Sequence, residues 1–75
     1  MEELIKILEE IKAGVDWENE TDLIENHILE SLKIVQLVGS LNDEFDIEIT
    51  PIDIVPENFK TVKSIYEMIK TLEDE

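Results

Sequence analysis

Between Leu4 and Val15 the apolar residues Leu4, Ile7, Leu8, Ile11 and Val15 recur at three- and four-residue steps, with Glu3, Lys6, Glu9, Glu10 and Lys12 on the other side. That spacing predicts an amphipathic helix. Gly14 stands where a left-handed residue closes such a helix, and Lys12 lies near the negative end of its dipole, so the helix is expected to stop near Ala13. From Asp16 to Glu30 the period is lost, and Trp17, Leu23, Ile24, Ile28 and Leu29 are scattered among polar residues. A loop of about fifteen residues is uncommon in a compact domain, and is usually functional or held by its own side chains. Both readings fit this segment.

Ser31 opens a second periodic stretch. Leu32, Val35, Val38, Leu41 and Phe45 follow helical spacing, Ile34 and Leu37 widen the apolar face, and Ser31 itself is expected to be the N-cap. Phe45, Ile47 and Ile49 then alternate with Asp46 and Glu48 as in a strand, but no second alternating run offers a partner. The segment reads instead as an extended connector whose isoleucines plug the core. Thr50-Pro51 has the form of an N-cap followed by a first-turn proline, and Pro56 bars continuation past Val55, so one short helical turn is expected between them. Thr61 can cap a last helix carrying Val62, Ile65, Ile69 and Leu72, beyond which Glu73-Asp74-Glu75 should fray. The predicted fold class is all-α, a small bundle of three main helices plus one short one, in a single domain over residues 1–75.

Composition narrows the functional classes. A chain of 75 residues holds one core, and a thin one. It has no cysteine, which removes disulfides and thiolate metal sites and favours a reducing, cytoplasmic setting. No apolar run is long enough to span a bilayer, and Met1-Glu2-Glu3 is acidic where a secretory signal is basic, so no stable membrane insertion is expected. Twenty acids against six bases, every base a lysine, give a net charge of −14. That field repels nucleic acid and anionic membranes, opposes self-association in favour of a monomer, and promotes docking onto basic patches of other proteins. Residues 1–30 hold ten acids and two lysines, 31–45 two and one, and 46–75 eight and three. The nearly neutral middle segment is either a contact surface or a mostly buried helix.

Little catalytic chemistry is available. His27, the only histidine, has no second ligand at metal-binding spacing and reads as a solvated loop residue. The two glycines, Gly14 and Gly39, stand too far apart for a phosphate loop. Asp43, Glu44, Asp46 and Glu48 lack the spacing and central glycine of a calcium loop, and read as a solvated face. Neither a catalytic residue nor a metal site is assigned, and no enzymatic activity is expected.

One constellation is more specific. Leu29-Glu30-Ser31-Leu32, the helix continuing Lys33-Ile34-Val35-Gln36-Leu37-Val38, and the run Leu41-Asn42-Asp43-Glu44-Phe45-Asp46-Ile47-Glu48-Ile49 together resemble the acyl carrier protein family. Ile54-Val55-Pro56-Glu57-Asn58-Phe59 followed by Thr61-Val62 is similar to stand-alone carriers, including D-alanyl and peptidyl types. The resemblance covers about residues 22 to 72. It implies that Ser31 carries a covalent 4′-phosphopantetheine arm, delivered from coenzyme A by a phosphopantetheinyl transferase, with substrates held as thioesters on its terminal thiol. Glu30 and Leu32 are then motif neighbours of the attachment serine, and Val35, Gln36 and Gly39 belong to a surface read by partner enzymes. Those partners would be an acyl- or aminoacyl-activating ligase and a downstream transferase or synthase.

The chain departs from the family pattern at three places. Glu30 stands where the family has aspartate, and His27 where many members have glycine. Lys33, Gln36 and Asn42 occupy positions of the second helix that are often acidic in fatty-acid carriers. The rival reading is an unmodified acidic helical adaptor of the same fold that binds a protein partner; it would keep its function in Ser31→Ala.

Overall fold

The computed structural model describes residues 2–74. Three α-helices, α1 (Glu2–Ile11), α2 (Ser31–Phe45) and α3 (Val62–Glu73), are joined by segments that contain two short 3-10 turns, Trp17–Asn19 and Pro56–Phe59. No strand occurs among the described residues. Helix α1 packs against α2, and α3 packs against both short turns. The all-α class is therefore as the sequence indicates.

Each helix owes its limits to local chemistry. Helix α1 begins with Glu2 and Glu3 at the positive end of its dipole and buries Leu4, Ile7 and Leu8. Its regular part ends at Ile11, two residues short of the expected Ala13, and Gly14 follows in the left-handed region at φ 82°. Helix α2 is closed by Asp46, left-handed at φ 52°, whose N–H donates to the Asn42 carbonyl. Helix α3 is capped as expected: the Thr61 hydroxyl accepts from the Ser64 N–H at 3.0 Å. At its far end the Asp74 N–H returns to the carbonyls of Lys70 and Thr71, each at 3.2 Å. The expectation that the tail frays extends to Glu75, which lies outside the described residues.

The buried side chains come from all three helices and the segments between them, and among the described residues none of them is polar. Leu37 and Leu41 of α2 meet Leu4, Ile7 and Leu8 of α1 and Val62, Ile65, Met68 and Ile69 of α3 in one cluster, completed by Trp17, Leu23, Ile28, Leu29, Ile49 and Phe59. The connector after α2 behaves as read from its alternation. Asp46 and Glu48 are exposed, Ile47 is half-buried and Ile49 is buried. Asn42 holds it, accepting the Ile47 N–H on its backbone carbonyl at 3.3 Å and the Ile49 N–H on its side-chain Oδ1 at 2.9 Å.

Three local expectations are corrected. The turn expected between Thr50 and Val55 is present, with the Asp53 N–H donating to the Thr50 carbonyl at 2.9 Å and the Ile54 N–H to the Pro51 carbonyl at 3.3 Å, but the regular short helical element follows it, at Pro56–Phe59. Proline costs nothing in a first turn, where its missing N–H would have had no partner, so Pro56 starts the 3-10 turn while forcing Val55 into extended backbone (φ −125°, ψ 153°). Residues 50–54 form a tight turn in which Asp53 Oδ2 accepts from the Thr50 N–H and hydroxyl at 3.1 and 3.0 Å. Second, the apolar face of α2 is rotated from the one expected. Leu32 and Val35 are exposed, and the face turned inward is Ile34, Leu37, Val38, Leu41 and Phe45. Third, Ser31 is not the N-cap. Glu30 is, with φ −98° and ψ 169°, and Ser31 is the first helical residue.

Trp17 is the largest buried side chain and only 2% exposed, although its indole N–H finds no hydrogen-bond partner among the described residues. The opposing magnitudes explain why it is tolerated. Burying an indole removes some 150–250 Å² from water, about 4–6 kcal/mol at 25 cal/mol per Å², whereas an unsatisfied donor costs about 1–3 kcal/mol. Trp17→Ala is therefore expected to lower the unfolding free energy by about 3–5 kcal/mol, measured by urea denaturation followed by circular dichroism. A loss below about 1 kcal/mol would show that the ring is not part of the core.

Candidate functional site

The segment before α2 is ordered by its own backbone. Asp22 Oδ1 accepts the Glu25 N–H at 2.9 Å, and the Asn26 N–H reaches the Asp22 carbonyl at 3.1 Å, which together make one helical turn. Its exit is a Schellman closure: the His27 N–H donates to the Ile24 carbonyl at 3.1 Å, and the Ile28 N–H to the Leu23 carbonyl at 3.0 Å. That pair of bonds requires a left-handed residue at the reversal, and His27 takes φ 59°. Leu23 and Ile28, the two residues that such a closure brings together, are both buried, as is Leu29. The Leu29 N–H adds a second bond to the Leu23 carbonyl at 2.9 Å, and the Leu23 N–H crosses to the Lys60 carbonyl at 2.7 Å. The long loop is thus pinned, by main-chain bonds as well as by its apolar anchors.

From this fixed point the chain extends through Glu30 and turns into α2. The Glu30 carbonyl accepts the first helical bond, from the Ile34 N–H at 2.9 Å, but no side chain caps the helix. Ser31 is exposed at the start of the 15-residue helix. Its hydroxyl lies where first-turn amides have no intrahelical acceptor and where the helix dipole is positive. An ester of Ser31 with a phosphate group would meet a favourable field and free N–H donors, so the residues present fit a phosphopantetheine attachment.

The other residues singled out from the sequence are placed as follows. Glu30 is exposed and its carboxylate does not cap the helix. Leu32 and Val35 are 80% and 67% exposed, large values for apolar side chains. Gln36 and Gly39 are also exposed, and with Val35, Glu10, Ile11, Ser40 and Asp43 they line an open groove of about 650 Å³ between α1 and α2. A Cβ placed on Gly39 would meet nothing within 4 Å, so packing within the chain does not demand glycine there, although mid-helix glycine costs about 0.5–1 kcal/mol relative to alanine. Among the described residues no group of three or more His, Asp or Glu side chains converges as a metal site.

Two features of the site region were missed in the sequence. The turn at residues 22–26 has a signal in the Asp22-x-x-Glu25 spacing, which is that of a capping box, but the loss of apolar period masks it. The exposed apolar residues Ile52, Ile54 and Val55 have no such signal.

The family described as "Phosphopantetheine attachment site" (PP-binding) matches residues 2–69. A curated acyl carrier protein of Buchnera aphidicola subsp. Baizongia pistaciae (strain Bp) is 44% identical over 52 residues, which are 69% of this chain and 64% of the relative. The match thus spans somewhat less than two thirds of that relative's length. No solved structure matches significantly. The chain belongs to the acyl carrier protein family, and the prosthetic group of that family is 4′-phosphopantetheine.

The uncapped start of α2 gives a stability prediction. Aspartate at position 30 is short enough to accept a first-turn N–H, so Glu30→Asp is expected to raise the unfolding free energy by about 0.5–1 kcal/mol in urea denaturation. An unchanged or lower midpoint would mean that this helix end gains nothing from a cap.

Proposed function

We propose that the chain is a carrier protein whose Ser31 bears the 4′-phosphopantetheine arm. The observation that supports this most directly is the exposed Ser31 hydroxyl at the uncapped N-terminus of α2. A serine that served as the cap would have its hydroxyl occupied by a backbone amide; here Glu30 holds the cap position and its side chain accepts no bond from the first turn. The first-turn amides and the dipole remain available to an attached phosphodiester. The arm, when bound, supplies a terminal thiol on which acyl or aminoacyl groups are held as thioesters. The protein's own part is to present that arm at a fixed point, with Glu30 and Leu32 flanking it, and to offer partner enzymes a surface that includes Val35, Gln36 and Gly39.

On this reading residues 1–75 are one carrier domain without catalysis of its own, monomeric and cytoplasmic. It receives the arm from a phosphopantetheinyl transferase, its cargo from an acyl- or aminoacyl-activating ligase, and passes the cargo to a transferase or synthase. The pathway is of fatty-acid, polyketide, nonribosomal-peptide or D-alanylation type. The acidic surface suits rapid docking to basic partner surfaces, and no helix among the described residues is long and apolar enough to cross a membrane. The near-neutral α2, with exposed Leu32 and Val35, favours partners that read this helix through apolar and polar contacts.

Incubation of the purified chain with coenzyme A, magnesium and a broad-specificity phosphopantetheinyl transferase is expected to add the mass of one phosphopantetheine, and Ser31→Ala to add none. No gain with several transferases would contradict the carrier reading and favour the unmodified acidic adaptor.

A further inference from the structure

The left-handed backbone region admits glycine freely and side chains only at a cost, and three described residues occupy it: Gly14, His27 and Asp46. Gly14 follows α1 and Asp46 closes α2. His27 ends only a single turn, yet it stands four positions before Ser31, and everything between them depends on the reversal it makes. Its own N–H bonds the Ile24 carbonyl at 3.1 Å, and the Ile28 and Leu29 N–H groups that follow both return to the Leu23 carbonyl, at 3.0 and 2.9 Å. If residue 27 took ordinary helical or extended backbone, these bonds would not form together. Ile28 and Leu29 would then leave their buried positions, and Glu30 would not arrive where its carbonyl opens α2.

We infer that the left-handed backbone of His27 is a positioning device for Ser31: it fixes where α2 begins, and the attachment of the arm depends on that turn being closed. The claim rests on the reading of Ser31 as the attachment residue. Because the imidazole is exposed, the role belongs to the backbone of residue 27, and a residue that accepts left-handed backbone should replace histidine. Glycine does so without steric cost and asparagine at a modest one, whereas a β-branched valine does not.

The test uses the full chain in five forms: native, His27→Gly, His27→Asn, His27→Val and Asp46→Val. The last imposes the same kind of strain at the far end of α2 and controls for general destabilisation. Two quantities are read: kcat/KM for transfer of the arm from coenzyme A, followed by intact mass, and the amide exchange rate of the Ile34 N–H in the unmodified chains. That N–H makes the first bond of α2, to the Glu30 carbonyl. His27→Val is expected to lower kcat/KM and to speed Ile34 exchange, each about tenfold or more relative to the native chain, the factor that the cost of this backbone region corresponds to, and to do so by clearly more than Asp46→Val. His27→Gly and His27→Asn should stay within about threefold of the native chain on both readouts. The inference is overturned if His27→Val and Asp46→Val lose transfer equally, if His27→Val loses none, or if the Gly and Asn variants lose as much as Val, which would assign the role to the imidazole. Should the native chain accept no arm, the reading of Ser31 fails, while the Ile34 exchange comparison still decides the positioning claim.

Discussion

The backbone of Leu23 carries more of this structure than any side chain near the site. Its N–H donates to the Lys60 carbonyl at 2.7 Å, and its carbonyl accepts from both Ile28 and Leu29. One residue therefore ties the segment before α2 to the segment before α3, and also folds the former back on itself. The Leu23 side chain is fully buried, which keeps water from competing for these bonds. Buried backbone groups must be paired, and in a stretch with only one helical turn the pairing has few solutions. The chain that leaves this knot has one residue, Glu30, before α2 begins at Ser31, so the exposed hydroxyl is located by the core rather than by a flexible loop.

The same economy is visible in how the helices end. Asp46 and His27 take left-handed backbone without glycine, and Asn42 closes α2 with its carbonyl while anchoring the connector with its side chain. Against these stands the open start of α2, where no side chain occupies the first-turn amides. In a chain of net charge −14, an uncapped positive helix end is a local exception to the field, and it coincides with the serine of the family motif. The exposed Leu32 and Val35 lie just beyond it on the same helix. The uncapped helix end and an apolar surface are thus placed side by side on α2.

Much of this was legible in the sequence, for reasons that can be traced to particular residues. The periods of α1 and α3, the Thr61 cap and the left-handed backbone of Gly14 follow from local chemistry, and all appear where local chemistry places them, apart from the two-residue difference at the end of α1. The family was legible as well, from the residues that resemble it. The face of α2 was not, because Leu32 and Val35 share a helical period with Val38 and Leu41, and only the neighbours of each turn decide which of two overlapping apolar stripes is buried. The turn at residues 22–26 escaped because it is too short to show a period, and the Leu23–Lys60 bond because no sequence pattern marks a long-range bond between two main chains. Pro56 was misplaced in function rather than position, since proline signals both the end of one turn and the start of the next.

If Ser31 is presented by a knot at Leu23 that belongs to the core, the most direct measurement is native-state amide hydrogen exchange of the Leu23 N–H beside that of Ile69, a buried residue of α3. The expected result is that both exchange only through global unfolding, with matching opening free energies. Leu23 exchanging at the rate of an unprotected loop amide while Ile69 stays protected would contradict the claim, because the segment before α2 would then open independently of the fold.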